Sequence, residues 1–200
     1  MVTFKKKEII YRPYEPYLKL AVDLVMVVCA AYLIITWFFG NMRATGHSMN
    51  NTIKEDDVVL INTVAYNINK PERYDLIAFT LENEDDSTQY IKRVIGLPGE
   101  TVQIMDGKIY IDGHVLTDDV IEGDIYNAGL AADPIKLEYN EYFVLGDNRN
   151  NSEDSRFSSV GLVKTDHILG KPWLIVYPFK DFGTTKVDRI TTEEETTEAE

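Results

Sequence analysis

Residues 24–39, LVMVVCAAYLIITWFF, carry no charge, and Leu20 to Val22 extend the apolar run past Asp23. A stretch of this length must leave water, and it matches the thickness of a bilayer core, so a transmembrane helix is predicted over 19–40. Lys19 and Asp23 lie four apart, share a helical face and can pair at the headgroup boundary. Lys5, Lys6, Lys7, Arg12 and Lys19 precede the span, whereas Arg43 alone follows it closely, which places residues 1–18 in the cytoplasm and the remainder outside. Tyr14 and Tyr17 at one end, with Trp37, Phe38 and Phe39 at the other, suit the two membrane interfaces. A cleaved secretory signal or a lipoprotein anchor at Cys29 fits less well. The run is long for a signal core, continues ten residues past Cys29, and puts Val28 where a small residue is favoured.

Beyond the span, β-branched and aromatic runs alternate with turn residues, which predicts a mainly β domain over 41–187. Strands are expected at 58–64, 75–80, 89–95, 101–105, 108–111, 141–145 and 173–177. Asp106-Gly107 is a hairpin signal because Asp-Gly readily takes positive φ, and Asp112-Gly113 reads as a second turn. Between 114 and 140 the alternation fades, so a looped β insertion is expected over about 97–140. The ending 188–200 is acidic and polar, the composition of a disordered tail. The net charge of −13 argues against nucleic acid as a partner, since phosphate binding needs clustered Lys and Arg. A single cysteine permits no internal disulfide, and three scattered histidines show no zinc-site spacing, so no metal is expected.

Three segments can carry chemistry: Gly46-His47-Ser48-Met49, the run 90–96 (YIKRVIG), and the run 146–156 (GDNRNNSEDSR). A serine after a glycine is ordinarily a loop residue. Ser48, however, lies only eight residues beyond Gly40, so a fully extended chain keeps it within about 30 Å of the membrane end of the domain. Strand alternation sets Tyr90, Lys92 and Val94 on one face, leaving a cation flanked by apolar groups. A surface lysine would extend its ammonium into water. A buried one loses charge, and its neutral amine can take a proton from a serine hydroxyl, as in Ser/Lys hydrolases. Asp147, Arg149, Glu153, Asp154 and Arg156 crowd into ten residues, either as a charged surface loop or as an ion-pair lattice beside a site, with Ser152 placed to meet a lysine amine.

In this order after an N-terminal span, the segments resemble the motif boxes of type I signal peptidases, in particular the single-span kind of Gram-positive bacteria. The likeness runs from the anchor to about Lys171. It implies a signal-peptidase-like β-barrel or sheet domain with a small β insertion and an anchoring helix. It also implies Ser48 as nucleophile, Lys92 as general base and Ser152 as the hydroxyl that orients Lys92. Gly46, Met49 and the Ser48 backbone N–H would support the oxyanion side. Arg93, Asp147, Asn148, Arg149, Asp154 and Arg156 would form the structural ion-pair box.

The resemblance implies a membrane-bound serine endopeptidase that cleaves signal peptides from preproteins arriving by the export translocon, with small residues at −1 and −3 and no cofactor. Three positions depart from the family pattern: Gly46 where some relatives carry a serine hydroxyl, Asn51 where proline is usual, and Tyr74 where glycine commonly precedes the next aspartate. Self-cleaving repressors also use Ser/Lys, but they are cytosolic and pair with DNA-binding elements. A non-enzymatic assembly factor would lack the nucleophile or the base, and a plain anchored adhesin would not need the three boxes in this order.

Overall fold

A computed structural model describes residues 14–50, 52–81, 88–117, 119–121 and 123–185. The expected tail at 188–200, the departure at Asn51 and most of the N-terminal segment lie outside these residues. The chain divides into two units, one ending at Phe38 and one beginning at Phe39.

In the first unit, helix α1 spans Glu15–Phe38, and none of its residues is buried. It is long and apolar enough to cross a membrane. It starts four residues before the expected 19 and stops two before 40. Pro16 is compatible with the first turn, where its missing N–H has no helical partner to lose. Glu15 places a carboxylate beside the positive end of the helix dipole.

The second unit is built on β-strands, as the alternation predicts. They are β1 (Phe39–Arg43), β2 (Val58–Asn62), β3 (Leu76–Phe79), β4 (Tyr90–Gly96), β5 (Thr101–Met105), β6 (Lys108–Ile111), β7 (His114–Val115), β8 (Ile135–Lys136), β9 (Glu141–Leu145), β10 (Val163–Lys164), β11 (Ile168–Tyr177) and β12 (Gly183–Thr184). The main sheet runs β1-β2-β11-β3-β4-β9-β10, with β12 paired to β11. Strand β11 joins its two halves. Ile168 and Gly170 pair with β3, and the residues from Lys171 to Tyr177 pair with β2. A Cβ on Gly170 would strike the Asn62 carbonyl, so the bare α-carbon allows β2 to approach where the partners change.

The insertion forms a second sheet in the order β7-β6-β5-β8. Both expected turns are present. Asp106 and Gly107 have φ of 51° and 76°, and Asp112 and Gly113 have φ of 49° and 81°. Among the described residues between 114 and 140, two short strands and a single 3-10 turn interrupt the loop, because few residues there alternate. The insertion shares a core with the main sheet: Val102, Ile104 and Leu137 pack with Ile95, Phe143 and Leu145. At their junction a Cβ on Gly96 would lie 2.5 Å from Val102 and 2.9 Å from Phe143, so only glycine fits. This shared core fixes the end of β9, from which residues 146–156 depart.

Candidate active site

Ser48 stands in a turn between β1 and β2. Gly46 precedes it with φ of 77°, the left-handed region where a Cβ is disfavoured. A serine at 46 would therefore meet backbone strain here even though the surrounding space is open. Beyond Ser48 the chain turns tightly, with Asn50 N–H donating to the His47 carbonyl at 3.1 Å and Ile53 N–H to the Met49 carbonyl at 2.9 Å. Met49 and Ile53 are buried beside Met42, Val59, Leu76 and Ile91. Met49 thus anchors the Ser48 turn in the apolar core.

Lys92 lies mid-strand in β4, paired across from Ile77 of β3. Only 4% of its surface is exposed. Its Nζ donates to Ser48 Oγ at 2.7 Å, which joins residues 44 positions apart. Burial lowers the ammonium pKa to about 8, against an opposing pull from Asp154, Glu153 and Asp147. Desolvation wins because it acts on the whole ammonium, whereas no carboxylate forms a direct ion pair with Lys92 among the described residues.

The lattice foreseen for 146–156 is present and reaches further than the segment itself. Arg93, next to Lys92 and on the opposite strand face, donates from Nε to Asp147 Oδ1 at 2.7 Å and from Nη2 to Asp147 Oδ2 at 2.6 Å. Thr52 donates to the same carboxylate, tying the turn that follows Ser48 to it. Arg156 forks onto Asp154 at 2.8 and 2.9 Å, and Asp154 also accepts the Gly146 N–H at 3.0 Å. Arg149 pairs with Asp119 of the insertion, one contact being 2.8 Å. These arginines and the carboxylates of Asp147 and Asp154 are nearly inaccessible to water, so each needs its partner.

Asn148, grouped with the ion-pair residues from the sequence, has no ionic role. Its backbone N–H donates to the Ser48 carbonyl at 3.0 Å, and its Nδ2 donates to the His47 carbonyl at 3.1 Å. Ser152 is close by; its carbonyl accepts from Arg156 Nη2 at 3.4 Å, but its hydroxyl makes no hydrogen bond. Its buried Oγ has no partner among the described residues, and Lys92 Nζ bonds Ser48 instead. Thr52, Asp119 and Glu153 were not singled out as site residues by sequence reasoning. Thr52 and Asp119 lie far in sequence from their partners, and Glu153 was visible only as one charge among several.

A cleft of about 400 Å³ opens on Ser48 and Lys92, walled by Met42, Ala44, Ile53 and Ile91, with His47 and Glu153 also at its surface. Tyr74, the third departure from the family pattern, has φ of 72°. Its carbonyl receives Arg93 Nη1 at 2.8 Å. The backbone thus takes the form that glycine would favour, while the Tyr74 ring is buried in the insertion core.

A family model described as signal peptidase, peptidase S26, matches residues 17–177. Signal peptidase I T of Bacillus subtilis (strain 168) is 33% identical over 177 residues, covering 85% of this chain and 90% of that protein. Signal peptidase I P of Bacillus subtilis subsp. natto is 33% identical over 188 residues, covering 90% and 99%. The crystal structure of a signal peptidase I from Enterococcus faecalis V583 is 33% identical, with a TM-score of 0.42, covering 51% of this chain and 96% of that one. With its family match spanning most of α1, the Ser48 turn, β4 and the 146–156 lattice, the chain belongs to the type I signal peptidases of peptidase family S26.

Proposed function

We propose that this chain is a membrane-anchored serine endopeptidase that removes N-terminal signal peptides from exported preproteins, with Ser48 as nucleophile and Lys92 as general base. The observation that carries the reading is the 2.7 Å contact between Lys92 Nζ and Ser48 Oγ, made by a lysine whose pKa burial has lowered to about 8. A neutral amine accepts the hydroxyl proton across that contact while Oγ attacks the scissile carbonyl. The Ser48 N–H stabilises the oxyanion. The protonated Lys92 then gives its proton to the departing amine, leaving an ester on Ser48 that water hydrolyses with Lys92 again as base.

Ala44 and the apolar side chains of Met42, Ile53 and Ile91 line the cleft beside the nucleophile, which favours small side chains at −1 and −3. Helix α1, long and apolar enough to cross a membrane, anchors the enzyme, with residues 1–18 cytoplasmic and 41–187 outside, the side on which preproteins leave the translocon. Gly46, Met49 and Ser152 support the dyad, and the ion pairs of Arg93, Asp147, Arg149, Asp154 and Arg156 hold the loops around it. The test is cleavage of a preprotein with an Ala-x-Ala site by detergent-solubilised full-length enzyme, beside Ser48→Ala and Lys92→Ala, with the new terminus mapped by mass spectrometry. Cleavage after the second alanine, lost in both variants, is the expected result. Retained cleavage in Ser48→Ala would eliminate the assignment.

A further inference from the structure

We infer that Asn148 is the positioning residue of the oxyanion site, aiming the Ser48 N–H by holding the two peptide groups that flank Ser48. The inference rests on the proposed role of Ser48. Asn148 grips consecutive carbonyls: its Nδ2 donates to His47 O at 3.1 Å, and its backbone N–H donates to Ser48 O at 3.0 Å. A carbonyl oxygen can only accept, so the amide must turn its nitrogen, not its oxygen, toward His47.

The consequence follows from peptide geometry. The His47 carbonyl and the Ser48 N–H belong to one planar trans unit and point in opposite directions. Pinning the carbonyl against Asn148 therefore sends the N–H the other way. His47 and Ser48 both line the cleft and Asn148 does not. No hydrogen bond engages that N–H among the described residues, leaving it available as a donor. Hydrogen bonding at the carbonyl end also polarises the amide and strengthens its N–H as a donor.

His47 O accepts a second bond, from Asn50 N–H at 3.1 Å. Asn50 belongs to the same turn and moves with it. Asn148 follows the end of β9, so its amide ties the plane to the rigid sheet. The loss of the amide is consequently a loss of orientation, with the His47 carbonyl still satisfied by Asn50. Because Gly46 offers no hydroxyl, the N–H has no side-chain helper at that position, and its direction matters the more.

The test compares full-length wild type with Asn148→Ala, which keeps the backbone bond to Ser48 O, and with Asn148→Asp, which puts a carboxylate oxygen against the His47 carbonyl. The readouts are kcat, KM, thermal midpoint and inhibition by a peptide aldehyde ending in Ala-x-Ala, whose tetrahedral adduct places an oxyanion in the site. The expected result is a fall in kcat on the order of 10-fold for Ala and 100-fold for Asp, with aldehyde inhibition weakened in parallel and KM and midpoint unchanged. An unchanged kcat, a change confined to KM, or a fall that tracks a lowered midpoint would each overturn the inference. Ser48→Ala, run alongside, separates the two ideas: if it is inactive while Asn148→Ala is normal, only the positioning role is lost, and if it remains active the dyad itself is lost.

Discussion

Ser152 turns its hydroxyl toward the bare α-carbon of Gly146. A Cβ built on Gly146 would collide with Ser152 Oγ and would lie 2.6 Å from the Ser48 carbonyl oxygen. The glycine therefore lets the third segment lie close to the loop that carries Ser48. Gly146→Ala should reduce activity by about 100-fold or more, because a displacement near 1 Å at reacting groups has that effect. Adding Ser152→Gly should restore only part of it, since the clash with the Ser48 carbonyl remains. Full recovery in the double variant, measured as kcat/KM, would mean that Ser152 alone sets the requirement for glycine.

Activity should rise with pH through about 8 and level off above it, following the neutral fraction of Lys92. Glu153 and Asp154 raise that pKa, in opposition to burial. Glu153→Gln should therefore shift the acidic limb to lower pH, because the ammonium loses a neighbouring negative charge. A pH-rate profile of acylation checks both statements, and a limb that does not move in Glu153→Gln would exclude the electrostatic coupling.

The same burial costs stability. Lys92 has a folded pKa near 8 against an ordinary value of 10.5, so below pH 8 both folded and unfolded states hold the proton and the full penalty is present. Between the two values the unfolded state binds more protons, stability rises with pH, and above 10.5 the penalty is gone. The shift corresponds to about 3 kcal/mol. Lys92→Met should thus be inactive yet melt a few degrees higher at pH 7, and an unchanged or lowered melting point would show that the lysine is better solvated than its burial implies.

Arg93 and Asp147 bury a two-pronged ion pair, and removing either partner leaves the other unpaired away from water. Arg93→Met or Asp147→Leu alone should destabilise by about 3–5 kcal/mol. The double variant should cost well below the sum, since no stranded charge remains. Denaturant melts of the four proteins give the coupling, and simple additivity would place the energy elsewhere in the lattice.

Much of this architecture was legible because its signals are local. Alternation located β5, β6 and β9 at their observed bounds, and two Asp-Gly pairs marked their turns. Strand β1 was missed because FGNMR does not alternate and follows directly on the apolar span; it pairs with β2 through backbone bonds that any sequence can supply. Strand β11 begins five residues earlier than expected, where Gly170 and Pro172 read as turn residues but serve a change of partner. At the site, residue types announced Ser48, Lys92 and the charged lattice. The partners Thr52 and Asp119 were invisible, since a bond across 95 or 30 positions leaves no periodicity. The orienting contact expected of Ser152 depends on a hydroxyl direction that spacing does not encode.

Tyr74 sets two local preferences against each other. Its φ of 72° favours glycine, and its side chain is 8% exposed within the insertion core beside Ile95 and Val120. Tyr74→Gly would relieve about 1 kcal/mol of left-handed strain. Deleting a buried aromatic ring costs about 3–5 kcal/mol, which is larger. The variant should therefore be less stable by roughly 2 kcal/mol or more, the opposite of what backbone preference alone predicts. Arg93 would keep its bond to the residue 74 carbonyl, which does not depend on the side chain, so the dyad should retain most of its activity below the new melting point. A more stable Tyr74→Gly protein in chemical denaturation would mean that the ring contributes little to the insertion core and that strain governs this position.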